Sequence, residues 1–224
     1  MTQRLCLLAC LAAAGACAHG PADGAGGRHG MTHDFSDAEK WSERFDAPER
    51  AAWQRPEHVI ELMEIAPGST AVDLGAGTGY FLGRLSRAVG AEGRVIALDV
   101  APSLVAFMRE RIERERLANA QARAIPPDDP EIEAGAADRV LIVNTWHHIP
   151  DRAAYAKRLR AGLRPGGRVY VVDFTLASPR GPSRDHKIPP ERVVEELAAG
   201  GLAASVVEHE RLPDQYVVVG VREP

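Results

Sequence analysis

Three glycines at alternate positions, Gly75, Gly77 and Gly79, stand in the stretch Ala71-Val-Asp-Leu-Gly-Ala-Gly-Thr-Gly-Tyr80-Phe81. An acidic residue, Asp73, lies two positions before the first of them. Glycines at such spacing permit a tight turn and let a ligand approach the backbone, and a helix starting just beyond offers free N–H donors. Dinucleotide-binding units space these glycines G-x-G-x-x-G, but here the third position is Tyr80, which disfavours an NAD-dependent oxidoreductase. Asp99 closes the apolar segment Val95-Ile-Ala-Leu-Asp99 about 20 residues past the loop. A carboxylate at the C-terminal end of a strand there can accept two hydroxyl donors. His147 and His148 follow another apolar run, Val140-Leu-Ile-Val-Asn144. Histidine titrates near neutrality, so one of the two can act as a base. Neighbouring residues leaving a strand point in different directions, so at most one faces a pocket; the bland reading of each is a hydrogen bond that orders the loop.

The elements that must position these residues alternate along the chain. Strands are expected at Thr70–Leu74, Arg94–Asp99, Ala120–Ile125, Arg139–Asn144, Arg168–Phe174, Val206–Leu212 and Tyr216–Val221. Helices are expected at 56–65, Tyr80–Val89, Pro102–Leu117, Arg152–Leu163 and Glu191–Ala199, and Phe35 to Trp53 reads as polar and helical. Alternation of this kind predicts a parallel sheet with helices on both faces, and the apolar strands match that burial. The last two strands have no helix between them, only the turn Pro213–Gln215, so they form a hairpin and one runs antiparallel.

Composition narrows the function classes. The 224 residues carry 27 Lys or Arg against 31 Asp or Glu, a net charge of −4, with no basic run to grip a nucleic-acid backbone. A hydrophobic share of 45% with 26% charged residues predicts a globular chain. All three cysteines, Cys6, Cys10 and Cys17, fall in the first 18 residues, so the rest of the chain has no thiol nucleophile or ligand. No metal-ligand set is read; His29 and His33 sit four apart, but in a glycine-rich stretch where no helix is expected.

The segment Val72–Phe81, VDLGAGTGYF, resembles the first motif of the class I S-adenosylmethionine-dependent methyltransferases. Asp138–Asp151 resembles that family's fourth strand and the loop after it, Leu163–Arg168 the turn before the fifth strand, and Val171–Phe174 that strand's end. The likeness runs over residues 35–221, and Trp146-His147-His148 is similar to a group of small-molecule methyltransferases with a W-H-H or Y-H-H run. The resemblance implies a Rossmann-like, doubly wound, mostly parallel seven-stranded α/β sheet of order 3-2-1-4-5-7-6. It also implies S-adenosylmethionine as cofactor and a small-molecule acceptor.

By the same resemblance the loop of Gly75, Gly77 and Gly79 cradles the methionine part of the cofactor, and Asp99 meets both ribose hydroxyls. Asp73 either orders the glycine turn or meets the cofactor's ammonium. Asn144 contacts the cofactor's amino acid moiety or the substrate, and Trp146 walls either one or is core. Many members place an aspartate after strand three against the adenine amino group; here Asp128 and Asp129 are both candidates, and a solvated acidic turn is the other reading. His147, His148 and Asp173 are the catalytic candidates, Asp173 having a structural role as its alternative. Trp53-Gln-Arg-Pro56 closes over the cofactor or packs as an amphipathic helix. Arg180, Arg184, His186 and Lys187, after strand five, suit an anionic acceptor or a solvated loop. The competing function is an exported binding protein that keeps the fold without catalysis.

The start of the chain reads as an export signal over residues 1–18. Arg4 precedes an apolar stretch, Leu5 to Ala14, and small residues follow. Ala16-Cys17-Ala18 fits ordinary cleavage, while Ala14-Gly-Ala-Cys17 resembles a bacterial lipobox in which Cys17 carries lipid. The expectation is a periplasmic or membrane-anchored lipoprotein with a flexible tether over 19–34 and the methyltransferase-like domain over 35–224. A cytoplasmic chain beginning at Met31 is the alternative.

Overall fold

Strands flanked by apolar residues on both faces need cover on both faces, and the computed structural model supplies it. It describes residues 37–208 and 210–224; the expected signal with Cys17, the tether with His29 and His33, and Phe35 lie outside them. Among the described residues the strands are β1 (Thr70–Leu74), β2 (Arg94–Asp99), β3 (Ala120–Ala124), β4 (Ala137–Val143), β5 (Leu163–Phe174), β6 (Ala203–Glu208) and β7 (Gln215–Val221). The helices are α1 (Ala38–Phe45), α2 (Arg50–Gln54), α3 (Pro56–Leu62), α4 (Leu82–Val89), α5 (Pro102–Glu115), α6 (Arg152–Gly162) and α7 (Pro190–Ala199). One sheet forms with the order β3-β2-β1-β4-β5-β7-β6, the order that the resemblance implies. β1 to β5 pair in parallel, and β7 runs antiparallel to both β5 and β6.

The period of two along each strand splits the core in half. Val72 and Leu74 of β1, Val140 and Ile142 of β4, and Val169 and Val171 of β5 pack with Trp146, Tyr155, Leu159 and Leu197 on one face. Ala71, Leu141, Tyr170 and Val172 pack with Val59, Leu82, Leu85 and Met108 on the other. Within α4, Leu82, Leu85 and Val89 recur at helical spacing and are all buried. Each such side chain contributes roughly 1.5–3 kcal/mol, which fixes the helix that follows the glycine loop. Asp151 caps α6 by accepting from Ala154 N–H at 3.1 Å.

Several boundaries differ from expectation. The helical stretch before Trp53 is two short helices, because Pro48 has no N–H to continue the first. β5 begins at Leu163, five residues early, since Leu163 already pairs with Ala137 before a register shift. β6 spans Ala203–Glu208 rather than Val206–Leu212. The Glu208 carboxylate accepts from Glu210 and Arg211 N–H, at 2.8 and 2.9 Å, and so turns the chain early.

Candidate active site

The C-terminal ends of β1, β2, β4 and β5 form one edge of the sheet, where parallel strands of this kind bind ligands. The glycine loop stands at its centre. Gly75 and Ala76 N–H both donate to Leu98 O, at 2.7 and 3.1 Å, which ties the loop to the end of β2. Gly75 has φ 68°, and a Cβ there would overlap Thr145, so the loop after β4 can lie directly on it. Gly79, at φ 81°, has no room for a Cβ beside Leu82. Asp99 closes the cradle: its Oδ2 accepts from Gly77 N–H at 2.8 Å and its Oδ1 from Ala101 N–H at 3.0 Å. Burial raises the Asp99 carboxyl, and the Ala101, Gly77 and Val100 N–H groups oppose the rise. A carboxylate has about four acceptor sites, so these N–H groups leave room for a hydroxyl donor.

Asp73 is buried behind the loop, and its Oδ2 has no hydrogen-bond partner among the described residues. Burial pushes its carboxyl up to about 7, against the pull of Arg50 and with a push from Asp99. Arg50 lies over the Tyr80 ring at 4.0 Å and donates to Phe45 O at 2.6 Å and Gln54 Oε1 at 3.3 Å. Among the described residues its Nε has no partner either, and burial brings its guanidinium down to about 10. Two buried, opposite and incompletely matched groups suit a ligand carrying both charges on one carbon, as the amino acid end of S-adenosylmethionine does. The residues present therefore fit that cofactor: Asp73 and Arg50 for the amino and carboxylate groups, the glycine loop for the chain, Asp99 for the ribose.

On the other side of the loop, Trp146–His148 form a single 3-10 turn. His147 Nδ1 lies 2.9 Å from both oxygens of Asp173, and the side chains are only 4% and 3% exposed. His147 N–H also reaches Asp173 Oδ2 at 3.3 Å, and Phe174 N–H donates to Oδ1 at 2.9 Å. An Nδ1–H donated to the carboxylate leaves Nε2 as the basic nitrogen. The His148 ring is 4.2 Å from the His147 ring, tilted by 44°. Trp146 is core, its Nε1 donating to Glu196 at 2.9 Å. Asn144, at φ 55°, donates its backbone N–H to Val172 O. Its side chain joins Gln54, from the stretch Trp53-Gln-Arg-Pro56 singled out above, and Gln215, which the sequence had not marked.

The remaining candidates have partners of their own. Asp129 Oδ1 accepts from Glu131 N–H at 2.8 Å and its Oδ2 faces Arg158 at 3.7 Å, while the exposed Asp128 offers its carbonyl to Arg158. Those partners belong to their own turn and to α6. Arg180 donates to Asp214 at 2.9 Å and covers Trp53 at 5.2 Å; Trp53 in turn meets Phe174 at 5.9 Å. Lys187 and Arg184 donate to carbonyls of their own loop, Ser178 and Leu176, and His186 Nδ1 bonds Ser183 Oγ at 2.8 Å.

A family model described as a methyltransferase domain matches residues 71–167, which hold the glycine loop, Asp99 and the turn of His147. Over those residues the chain is similar to the methyltransferase domain family. A solved S-adenosylmethionine-dependent methyltransferase from Aquifex aeolicus shares its fold, with a TM-score of 0.77 at 23% identity over 85% of this chain and 100% of that one. Among curated relatives, a ubiquinone/menaquinone biosynthesis C-methyltransferase, UbiE, of Shewanella frigidimarina is 28% identical, covering 55% of this chain and 49% of the relative. A 37.1 kDa protein of a Streptomyces fradiae transposon is 34% identical over 50% of this chain and 32% of its own length. The chain thus spans half or less of the length of these curated relatives.

Proposed function

We propose that the chain transfers a methyl group from S-adenosylmethionine to a small-molecule acceptor, with His147 as general base. The buried His147–Asp173 pair on the same sheet edge as the glycine loop carries this reading. When bound, the cofactor supplies an electrophilic methyl group on a positively charged sulfur. The chain's residues hold and orient: the glycine loop, Asp99, Asp73 and Arg50 fix the cofactor, and His147 Nε2 takes the proton the acceptor loses. Asp173 accepts from Nδ1–H, keeps the tautomer and offsets the charge of the imidazolium. His148, its ring tilted against that of His147, belongs to the same proton-handling turn. The name of the Shewanella relative supports an acceptor of the quinone-precursor kind, a small ring bearing an ionisable proton.

The full chain incubated with methyl-labelled S-adenosylmethionine and 1,4-naphthohydroquinone tests this. Label entering a small organic product supports the reading. Cofactor binding without transfer to that probe or to a small-molecule extract would favour the non-catalytic binding protein instead.

We also propose that Cys17 carries lipid and tethers the domain to a membrane in the periplasm. The charged, apolar and small-residue order of residues 1–18 supports it. Sequencing the mature N-terminus after cell fractionation tests it; a chain beginning near Met31 would favour the cytoplasm.

A further inference from the structure

Glu196 stands where an amphipathic helix carries an apolar residue. Val193, Glu196 and Leu197 form the buried stripe of α7, and the Glu196 side chain is 5% exposed. A carboxylate in such a place costs desolvation free energy and needs donors around it. Three side chains supply them. Oε2 accepts from Trp146 Nε1 at 2.9 Å and from Arg152 Nε at 2.8 Å, and Oε1 accepts from Arg192 Nε at 3.1 Å. A buried ion pair adds little net stability over apolar residues of similar volume, so stability is a poor reason for this one. What the carboxylate adds is geometry. Arg152, held by Glu196, also donates from Nη1 to Ile149 O at 3.1 Å. One ion pair thus grips the turn after β4 at its first side chain, Trp146, and at the carbonyl just beyond it, Ile149. His147 and His148 lie between the two grips. Two backbone bonds close the turn itself, His148 N–H to Thr145 O at 2.9 Å and Ile149 N–H to Trp146 O at 3.2 Å. Asp173 orients the His147 ring from β5, while Glu196 holds the backbone that carries it from α7.

We propose that Glu196 is a positioning residue: with Arg152 it fixes the Trp146–Ile149 turn, so that the His147 ring keeps one tautomer and Nε2 one direction. The inference rests on the reading of His147 as general base given above. A turn gripped at one end only lets the ring swing, and a misplacement of about 1 Å can cost a hundredfold in rate.

Two readouts on the full chain test it. In nitrogen-detected NMR the neutral His147 ring, assigned through His147→Ala, should be protonated at Nδ1 alone in wild type and should show both tautomers in Glu196→Gln. With methyl-labelled S-adenosylmethionine and 1,4-naphthohydroquinone, Glu196→Gln should lower kcat by about 10–100-fold and leave KM and S-adenosylhomocysteine affinity within about twofold. Arg152→Lys keeps a cation beside Glu196 but loses the fork that also reaches Ile149, so it should act in the same direction and less strongly. Should Glu196→Gln not fold, Arg152→Lys carries the test. Arg222→Ala is the control for stability alone. Arg222 donates to the Arg160 and Leu163 carbonyls at the far end of α6, so its loss should lower the urea midpoint without changing kcat or tautomer. A single tautomer and wild-type kcat in the folded Glu196 variant overturn the proposal, as does an equal loss of kcat in Arg222→Ala. If wild type transfers no label, the reading of His147 as base fails and the effect on rate with it. The tautomer then decides alone: both forms in Glu196→Gln uphold its hold on the turn, and one form overturns it.

Discussion

His147 and Asp173 give the site a direction. In the proposed mechanism Nδ1 is committed to the carboxylate and Nε2 serves as the base, so loss of either partner should affect turnover more than cofactor affinity. His147→Ala should lower the rate of label transfer by about 10²–10⁴-fold and change S-adenosylhomocysteine affinity little, by single-turnover assay and calorimetry. Asp73 makes a separate prediction from pH. Its folded-state value, about 7, exceeds the ordinary aspartate value of 3.8, so the folded state holds an extra proton between those values. The stability it contributes is complete below about pH 4 and is lost as pH rises through 7. Urea midpoints of Asp73→Asn should therefore fall less from pH 5 to pH 7.5 than those of wild type. Arg50, brought down by the same burial, escaped sequence reading because nothing in its neighbours marks it as facing Asp73.

At the scale of elements, position rather than residue type separates support from site. Asp151 caps α6 and touches neither the glycine loop nor His147 among its hydrogen bonds. Asp151→Ala should cost about 1 kcal/mol in urea unfolding while leaving S-adenosylhomocysteine affinity unchanged. Gly75→Ala should do more to function than its size suggests, because a Cβ at φ 68° must displace Thr145 from the loop. Loss of ligand binding with the fold retained is the expected result, read by calorimetry and circular dichroism. The strands and the loop were legible from apolar runs and glycine spacing, whose signals are local. The end of β6 was not, because the turn depends on one Glu208 carboxylate taking two backbone N–H groups. Nor was the amide ring, whose members Gln54, Asn144 and Gln215 stand 90 and 71 residues apart in sequence.

For the whole molecule, the sheet order brings the end of β1, the end of β2 and the turn after β4 to one edge. That order was readable because strand–helix alternation admits few topologies and the motifs chose among them. A dense apolar core packs on both faces of the sheet behind this edge. Asp99 tests the proposed cofactor placement most sharply, since its carboxylate shapes the glycine loop and is the group proposed to hold the ribose. The most direct measurement is calorimetric titration of the full chain with S-adenosylhomocysteine, alongside Asp99→Ala. The predicted result is one site with micromolar affinity in wild type, weakened about tenfold or more in the variant. No binding by a folded wild-type chain, or equal affinity in the two, would contradict it.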